Sequence, residues 1–408
     1  MTSVQNTPIL FHKYTALRVL CLIVGFITSQ AMAEQYKYQT LDSQGVTHWT
    51  VTTPQNKHPK DKTLEVHFAD LKIEKLTVTT PLKPKLQNPK VIAIVGDTGC
   101  RLKEGSVFSS YQDCNDPEAW PYPKVIESVQ QAKPDLIIHV GDFHYREQCS
   151  PGKPCQKMSP SVGYEWAPWQ LDFFEPSRKA LASAPWLMAR GNHEDCNRAF
   201  LGYKKLLVAK DWSQECLDFE EPQVVELGDL AIVNLDSSGI SDFPEVSDQT
   251  TVLWKKRLEA IDQKLKNTKA RHIWVITHKP IYGLVKLGQA YAPTNINLKK
   301  YFETASWSSK VELILSGHVH NTQLTTAAGS PLQVVLGNGG TTLESENPTL
   351  TAANLSAIGY NQGKVLDRKF GYVLIRQGEG SKYTLEFHLK EGNTLYSCHL
   401  ENKGQDCF

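Results

Sequence analysis

The 408-residue chain is 40% hydrophobic and 21% charged, with 44 Lys and Arg against 43 Asp and Glu. This ordinary composition excludes a wholly disordered protein, and the length allows one large core with a small appendage, or two domains. The near-zero net charge provides no basic surplus, so it indicates neither nucleic acid nor anionic lipid as a partner.

The first 33 residues have the pattern of a secretory signal peptide. Lys13 and Arg18 precede an apolar run at 19–27, and Ala31 and Ala33 occupy the two positions that a signal peptidase reads. The apolar run is shorter than the about 20 residues that a membrane span needs. The sequence therefore predicts a periplasmic or secreted protein, cleaved after Ala33 and without a membrane anchor.

The residues that follow differ from the rest of the chain. Strand-like segments at 35–41 and 46–52 flank a turn and predict a hairpin. We interpret 34–80 as a small N-terminal β-rich module. A Pro- and Lys-rich stretch at 81–89 is typical of a linker, which leaves 90–408 as the main domain.

From Lys90 onward, strand-like and helix-like segments alternate, as in α/β proteins. Apolar spacing predicts a short helix around 125–129 and a longer one that begins near Ser247 or Asp248. Gly228 and Asp229 predict a tight hairpin. The last three predicted strands, expected to be antiparallel, are 371–376, 383–389 and 394–400. Together these elements predict a two-sheet core with helices outside.

Five polar clusters occur in the main domain, and four of them directly follow an apolar run. Each cluster alone is a common turn, and a strand-end Asp is more often a helix N-cap than a ligand. Short apolar runs are typical of buried parallel strands, whose carboxyl ends share one edge of a sheet. We therefore expect the clusters to meet and to form a metal site. They are Gly96-Asp97-Thr98-Gly99, Gly141-Asp142-Phe143-His144-Tyr145, Gly191-Asn192-His193-Glu194, His278 and Gly317-His318-Val319-His320.

Eight cysteines follow the predicted signal peptide, an even number that indicates disulfides in an oxidising compartment. The absence of any Cys-x-x-Cys pair disfavours a zinc finger. The spacing favours four local pairs: Cys100 with Cys114, Cys149 with Cys155, Cys196 with Cys216, and Cys398 with Cys407.

The clusters resemble those of the calcineurin-like metallophosphoesterases, most nearly the purple acid phosphatases. Most members of that superfamily begin with Asp-x-His, whereas purple acid phosphatases have Gly-Asp-x-Gly and then Gly-Asp-x-x-Tyr, as at 96–99 and 141–145 here. The runs 141–147 and 190–196 also resemble a bacterial, cysteine-bearing branch. The resemblance implies a four-layer α/β/β/α sandwich.

The resemblance also implies a pair of metal ions bridged by Asp142. Anionic oxygen donors suit Fe(III), and the His-rich set suits Fe(II), Zn or Mn. The implied ligands are Asp97, Asp142, Tyr145 and His320 for one ion, and Asp142, Asn192, His278 and His318 for the other. A Tyr near a strand end more often packs than ligates, but the four other clusters favour ligation by Tyr145.

Other residues of the clusters are candidates for substrate binding and proton transfer. His193 is expected to bind phosphate and to protonate the leaving group. Glu194 would either orient His193 or make a structural hydrogen bond. His144 is either a substrate contact or a loop residue, and Arg146 either binds phosphate or makes a structural ion pair.

The implied activity is hydrolysis of phosphate monoesters, acid phosphatase-like, by attack of metal-bound hydroxide on a small phosphorylated substrate. One alternative is a Mn- or Zn-dependent phosphodiesterase or nucleotidase of the same superfamily, in which Tyr145 is not a ligand. An alternative of another class is a catalytically inactive phosphate-binding surface protein. The sequence indicates no particular protein partner.

Overall fold

A computed structural model describes residues 33–54, 66–79, 82, 86–104, 110–208, 215–242, 246–287, 290–344, 350–366 and 368–408. The predicted signal peptide lies outside these residues, apart from Ala33. Residues 33–408 form one compact unit. No helix in the described part of the chain combines the length and the apolar character needed to cross a bilayer.

The larger sheet has nine strands. Its three central strands run parallel to one another and carry three of the polar clusters at their carboxyl ends. In spatial order the strands are β20 (Thr394–His399), β19 (Tyr383–Leu389), β18 (Gly371–Gln377), β4 (Val91–Val95), β7 (Leu136–His139), β8 (Trp186–Met188), β1 (Gln35–Asp42), β2 (Gly45–Thr52) and β3 (Lys72–Thr79).

The second sheet has seven strands and carries the remaining two clusters. Its four middle strands are parallel, and its last two form the predicted hairpin across Gly228 and Asp229. In spatial order the strands are β17 (Gln362–Val365), β15 (Thr322–Thr326), β16 (Leu332–Leu336), β14 (Val311–Ser316), β11 (His272–Ile276), β10 (Leu230–Asn234) and β9 (Gln223–Leu227). Two short hairpins pair β5 (Leu102–Lys103) with β6 (Ser110–Tyr111) and β12 (Leu284–Leu287) with β13 (Ala290–Pro293).

Helices cover the outer face of each sheet. A buried apolar cluster joins the nine-stranded sheet to one set of helices, a second lies between the sheets, and a third joins the seven-stranded sheet to the other set. The predicted α/β/β/α sandwich is therefore confirmed. The helices over the first sheet are α1 (Tyr122–Gln131), α2 (Trp166–Trp169), α3 (Glu175–Ser183) and α4 (Phe200–Leu207); those over the second are α5 (Asp248–Leu265), α6 (Ile296–Thr304) and α7 (Ala352–Ala357).

The N-terminal strands extend the nine-stranded sheet. β1 pairs with β8 in parallel at Thr40 and Trp186. Tyr38 and Trp49 stack with ring centroids 5.5 Å apart, and both belong to the apolar cluster beneath the helices. The module at 34–80 thus shares the core of the main sheet, while its boundary, and that of the linker at 81–89, stay predictions. Residues 81 and 83–85 lie outside the described part of the chain.

All four predicted disulfides are present. They join Cys100 to Cys114, Cys149 to Cys155, Cys196 to Cys216 and Cys398 to Cys407. Three of them brace loops that follow the polar clusters, and the fourth ties the C-terminus to β20. Four disulfides are typical of a protein of an oxidising compartment.

Candidate metal centre

The five clusters occupy the carboxyl ends of parallel strands, at the edge where the two sheets face each other. Asp97, Asp142 and Asn192 follow β4, β7 and β8 of the larger sheet, whereas His278 and His318 follow β11 and β14 of the smaller one. Strand ends that face each other in this way bring side chains from distant parts of the chain to one place.

The ligand-bearing turns adopt a backbone conformation that side chains rarely take. Asp97, Asp142 and His318 have φ of 54°, 59° and 72°, a left-handed region that costs energy for residues other than glycine. The glycines beside them make room for the turns. A Cβ at Gly191 would lie 2.1 Å from the Asp142 backbone nitrogen, and one at Gly317 would lie 2.1 Å from Oδ2 of Asp97. The recurring Gly-Asp, Gly-Asn and Gly-His pairs are therefore a steric requirement.

The first group of donor atoms surrounds the hydroxyl of Tyr145. This oxygen lies 3.1 Å from Oδ1 of Asp97, 2.7 Å from Oδ2 of Asp142 and 3.0 Å from Nε2 of His320. All four groups are those expected for the first metal ion.

The second group surrounds the side-chain oxygen of Asn192. It lies 2.9 Å from Nε2 of His278 and 2.8 Å from Nδ1 of His318. Oδ1 of Asp142 lies 3.3 Å from the same His278 nitrogen. Asp142 thus presents one carboxylate oxygen to each group, as a bridging ligand would.

The charge of the cluster also fits bound cations. Asp97 and Asp142 are 0% and 1% exposed, and among the described residues neither pairs with a Lys or Arg. Burial opposes protonation of His278, but the charge of Asp142 raises its pKa to about 9. Burial and the neighbouring Asp142 carboxylate act together to raise the pKa of Asp97 to about 8. Buried negative charge of this kind calls for a cation, and ligand atoms of Asp97, Asp142 and His278 lie within 4.8 Å of one another.

The histidines are held as metal-binding imidazoles usually are, with one ring nitrogen on the cluster and the other on a fixed acceptor. Nδ1 of His278 lies 2.8 Å from the Val140 carbonyl oxygen, and Nδ1 of His320 lies 3.0 Å from that of Thr342. A carbonyl only accepts, so Nδ1 of each ring carries a proton and Nε2 is the ring nitrogen that faces the cluster.

The third histidine has a carboxylate as its acceptor. Nε2 of His318 lies 3.5 Å from Oδ1 of Asp242, which also pairs with Nζ of Lys279 at 3.0 Å. Burial alone would raise the pKa of Asp242, but His318 and Lys279 hold it well below its usual range. Sequence reasoning missed Asp242, because it lies in a loop outside the five clusters and carries no motif of its own.

Glu194 shapes the loop that carries Asp142. Its buried carboxylate accepts hydrogen bonds from four backbone N–H groups, those of Asp142, Phe143, His144 and Gly191, at 2.9–3.1 Å. Of the two roles predicted for Glu194, the structure therefore shows the structural hydrogen bonds. Burial, with the charge of Asp142 in support, raises its pKa to about 8.

His193 is oriented by another acid, Glu147. Nδ1 of His193 lies 3.0 Å from Oε1 of Glu147, and Nε2 lies 3.8 Å from Oδ2 of Asp142. Arg198 pairs with Glu147 and lies 2.6 Å from Nδ1 of His193. Burial lowers the pKa of His193 to about 4 against the charge of Asp142. Glu147 and Arg198 were also missed, although Glu147 lies only two residues after the second cluster.

Two predicted substrate contacts lie away from the cluster. His144 is fully buried, stacks on Trp169 and has its Nε2 2.8 Å from the Gly163 carbonyl oxygen. Arg146 is 2% exposed and donates to Asp172 at 2.6 Å. The geometry therefore gives no support to either residue as a substrate contact, because both side chains are buried and hydrogen-bonded to other parts of the protein behind the second cluster.

Two facing sheets, with oxygen and nitrogen donors gathered at their carboxyl ends, define a metal-binding protein of the α/β/β/α class. The family model of the calcineurin-like phosphoesterases matches residues 90–322, over half of the chain and all seven donor residues. The chain belongs to the calcineurin-like phosphoesterase family. This membership supports a phosphoester hydrolase.

Solved structures show the same fold. A purple acid phosphatase, PPD1, from yellow lupin (Lupinus luteus) seeds has a TM-score of 0.51 and 15% identity, over 86% of this chain and 58% of that one. PhoD has a TM-score of 0.54 and 11% identity, over 90% of both chains. The chain thus spans little more than half of the lupin enzyme, and identities this low show the fold alone. Comparison with curated proteins gives no significant match.

Proposed function

We propose that this protein is an exported phosphohydrolase with two metal ions that cleaves phosphate monoesters. The observation that carries the proposal is the sharing of Asp142 between two donor groups, one around Tyr145 and one around Asn192. The residues fit a dinuclear centre in number, burial and donor chemistry. Fe(III) suits the Asp and Tyr oxygens, and Fe(II), Zn or Mn suits the Asn and His set.

The cations, when bound, supply Lewis acidity toward the phosphate and generate a nucleophile from water. The chain contributes the rest of the chemistry. His193 packs against the Tyr145 ring at 3.8 Å between centroids, and Glu147 fixes one of its nitrogens. The other nitrogen faces Asp142 and is placed to contact the phosphate. Delivery of a proton to the leaving oxygen, a step worth about 10²–10⁴ in rate, requires a protonated ring, which the lowered pKa of His193 restricts to acidic pH.

Purified, metal-analysed protein should hydrolyse phosphate monoesters in a panel of mono- and diesters assayed over a wide pH range. Asp142→Ala and His318→Ala should each lower kcat by more than about 100-fold. Losing a residue that only hydrogen-bonds to a metal ligand costs up to about 100-fold, and losing a ligand itself should cost more. Asp229→Asn is the matched control, because Asp229 follows a glycine in the surface hairpin between β9 and β10. An unchanged rate in both site variants would contradict the proposal.

A second candidate, a Mn- or Zn-dependent phosphodiesterase or nucleotidase, is favoured by one feature of Tyr145. Burial and the charges of Asp142 and Asp97 raise the pKa of its hydroxyl well above the usual value, and the hydroxyl donates to Asp142 at 2.7 Å. The second candidate requires a Tyr145 hydroxyl that hydrogen-bonds to Asp142 and does not bind a metal ion. An iron-containing, coloured protein supports the monoesterase, whereas a colourless, iron-free, active protein supports the second candidate.

Export is part of the proposal. It is supported by the signal pattern at 1–33 and by the four disulfides. The mature protein should begin at Glu34 when its N-terminus is sequenced from the periplasmic or culture fraction of a bacterial host. An uncleaved N-terminus in the cytoplasmic fraction would contradict export.

A further inference from the structure

Two basic residues beside the donor cluster, Arg101 and Lys103, form no ion pair with an acidic side chain among the described residues. Arg101 is partly exposed and Lys103 is exposed. The third basic residue nearby, Arg198, is instead neutralised by Glu147. Two unpaired cations at the mouth of a phosphoesterase site are available to a bound anion.

The pairing of Leu102 with Arg146 places the side chains of Arg101 and Lys103 on the same face as the donor cluster. Leu102 forms a parallel bridge with Arg146; its N–H donates to the Tyr145 carbonyl oxygen at 2.9 Å, and its own carbonyl oxygen accepts from the Glu147 N–H at 3.1 Å. Leu102 and Arg146 are both buried on one face of this strip. Because side chains alternate along extended chain, the neighbours of Leu102 lie on the opposite face, together with Tyr145 and Glu147.

Distances and charges agree with this register. The guanidinium carbon of Arg101 lies 5.8 Å from the centre of the Tyr145 ring. Partial burial lowers the pKa of Lys103; among its charged neighbours, Arg198 and Arg101 lower the pKa, whereas Glu147 and Asp142 raise it. Arg101 and Lys103 therefore both lie next to the metal-ligand residues.

The segment is also fixed in place before any ligand arrives. The Cys100–Cys114 disulfide precedes Arg101 directly. The Arg101 N–H donates to Oε1 of Gln112 at 2.9 Å, and its carbonyl oxygen accepts from the Gln112 N–H at 2.8 Å. A braced backbone reduces the entropy lost when its side chains engage a ligand.

We propose that Arg101 and Lys103 bind a second anionic group of the substrate, a phosphate or a carboxylate, while the donor cluster holds the phosphate to be cleaved. The inference rests on the proposed function and narrows it to phosphate esters that carry another anion. Arg and Lys form charge-assisted hydrogen bonds with such groups, and losing them costs about tenfold or more in affinity.

Three probes test whether a second anionic group is bound and whether it is a carboxylate or a phosphate. They are methylphosphonate, with one anionic group; phosphonoacetate, with an added carboxylate; and methylenediphosphonate, with an added phosphonate. Their binding to metal-loaded protein is measured by calorimetry. The double variant Arg101→Ala/Lys103→Ala should bind one or both of the two larger probes at least about tenfold more weakly, with a smaller loss for methylphosphonate. Lys255→Ala, on the exposed face of α5, is the control and should bind all three as the wild type does.

The pattern of losses decides the outcome. A loss confined to methylenediphosphonate identifies a second phosphate, and a loss for both larger probes shows that a carboxylate suffices. Equal losses for all three probes, or no loss, would overturn the inference, provided that metal content and unfolding midpoint match the wild type. Failure of the wild type to hydrolyse any phosphoester would refute the proposed function separately, since the binding comparison does not depend on turnover.

Discussion

Glu194 shows how a residue that contributes no metal-binding atom can determine the metal centre. Its carboxylate gathers the N–H groups of 142–144 and of Gly191, which holds Asp142 at a positive φ of 59°. A buried carboxylate with four donors is an efficient clamp for a strained turn, because each bond satisfies an N–H that would otherwise be buried and unpaired.

Replacing Glu194 by Ala should therefore destabilise the protein and disturb the site together. Leaving buried N–H groups without an acceptor costs about 1–3 kcal/mol each, so we expect the free energy of unfolding to fall by at least about 3 kcal/mol. Denaturant unfolding and metal analysis measure the two effects. Glu226→Ala, at an exposed position of β9, should change stability by no more than about 0.5 kcal/mol. Equal stability of the two variants would count against the clamp.

At the level of elements, the N-terminal hairpin contributes to the core of the main sheet. Tyr38 packs on Trp49 and donates from its hydroxyl to the Leu206 carbonyl oxygen at 2.5 Å. Tyr36 in turn reaches Glu175 at 2.8 Å. The contacts with α3 and α4 give this hairpin a stabilising role that its sequence pattern alone does not show.

Truncating Trp49 tests that role. Its side chain is 2% exposed, so Trp49→Ala should lower the free energy of unfolding of the whole protein by about 3–5 kcal/mol. Lys37→Ala, at an exposed position of β1, should have little effect. If thermal or denaturant unfolding of the main domain is unchanged by Trp49→Ala, the hairpin is an independent module.

At the scale of the whole molecule, the donor cluster lies where the two sheets meet, so bound cations would tie the sheets together. Asp97, Asp142 and Asn192 come from the nine-stranded sheet and the three histidines from the seven-stranded one. Without cations, the buried carboxylates of Asp97 and Asp142 repel each other beside this junction, and their repulsion opposes folding.

Removing metal with a chelator should therefore lower the thermal midpoint. Metal at a thousandfold excess over its Kd stabilises a folded protein by about 4 kcal/mol, which for a chain of this size corresponds to roughly 5 °C. Differential scanning calorimetry before and after chelation measures the shift, and adding metal back should restore it. The Asp142→Ala variant should respond much less. If the chelator leaves the thermal midpoint of the wild type unchanged, this would argue against a metal centre between the sheets.

The sequence by itself determined the layered α/β architecture, the disulfide pairs and which seven side chains gather at the strand ends. Strand periodicity and Gly-Asp or Gly-His turns are local features, and parallel strands place their carboxyl ends at one edge whatever the loops do. Only the tertiary structure decided that Glu147, not Glu194, orients His193, and that Asp242 accepts from His318. It also decided that the side chains of His144 and Arg146 point away from the donor cluster. These pairings join loops far apart in sequence, and their geometry depends on side-chain packing that no local pattern encodes.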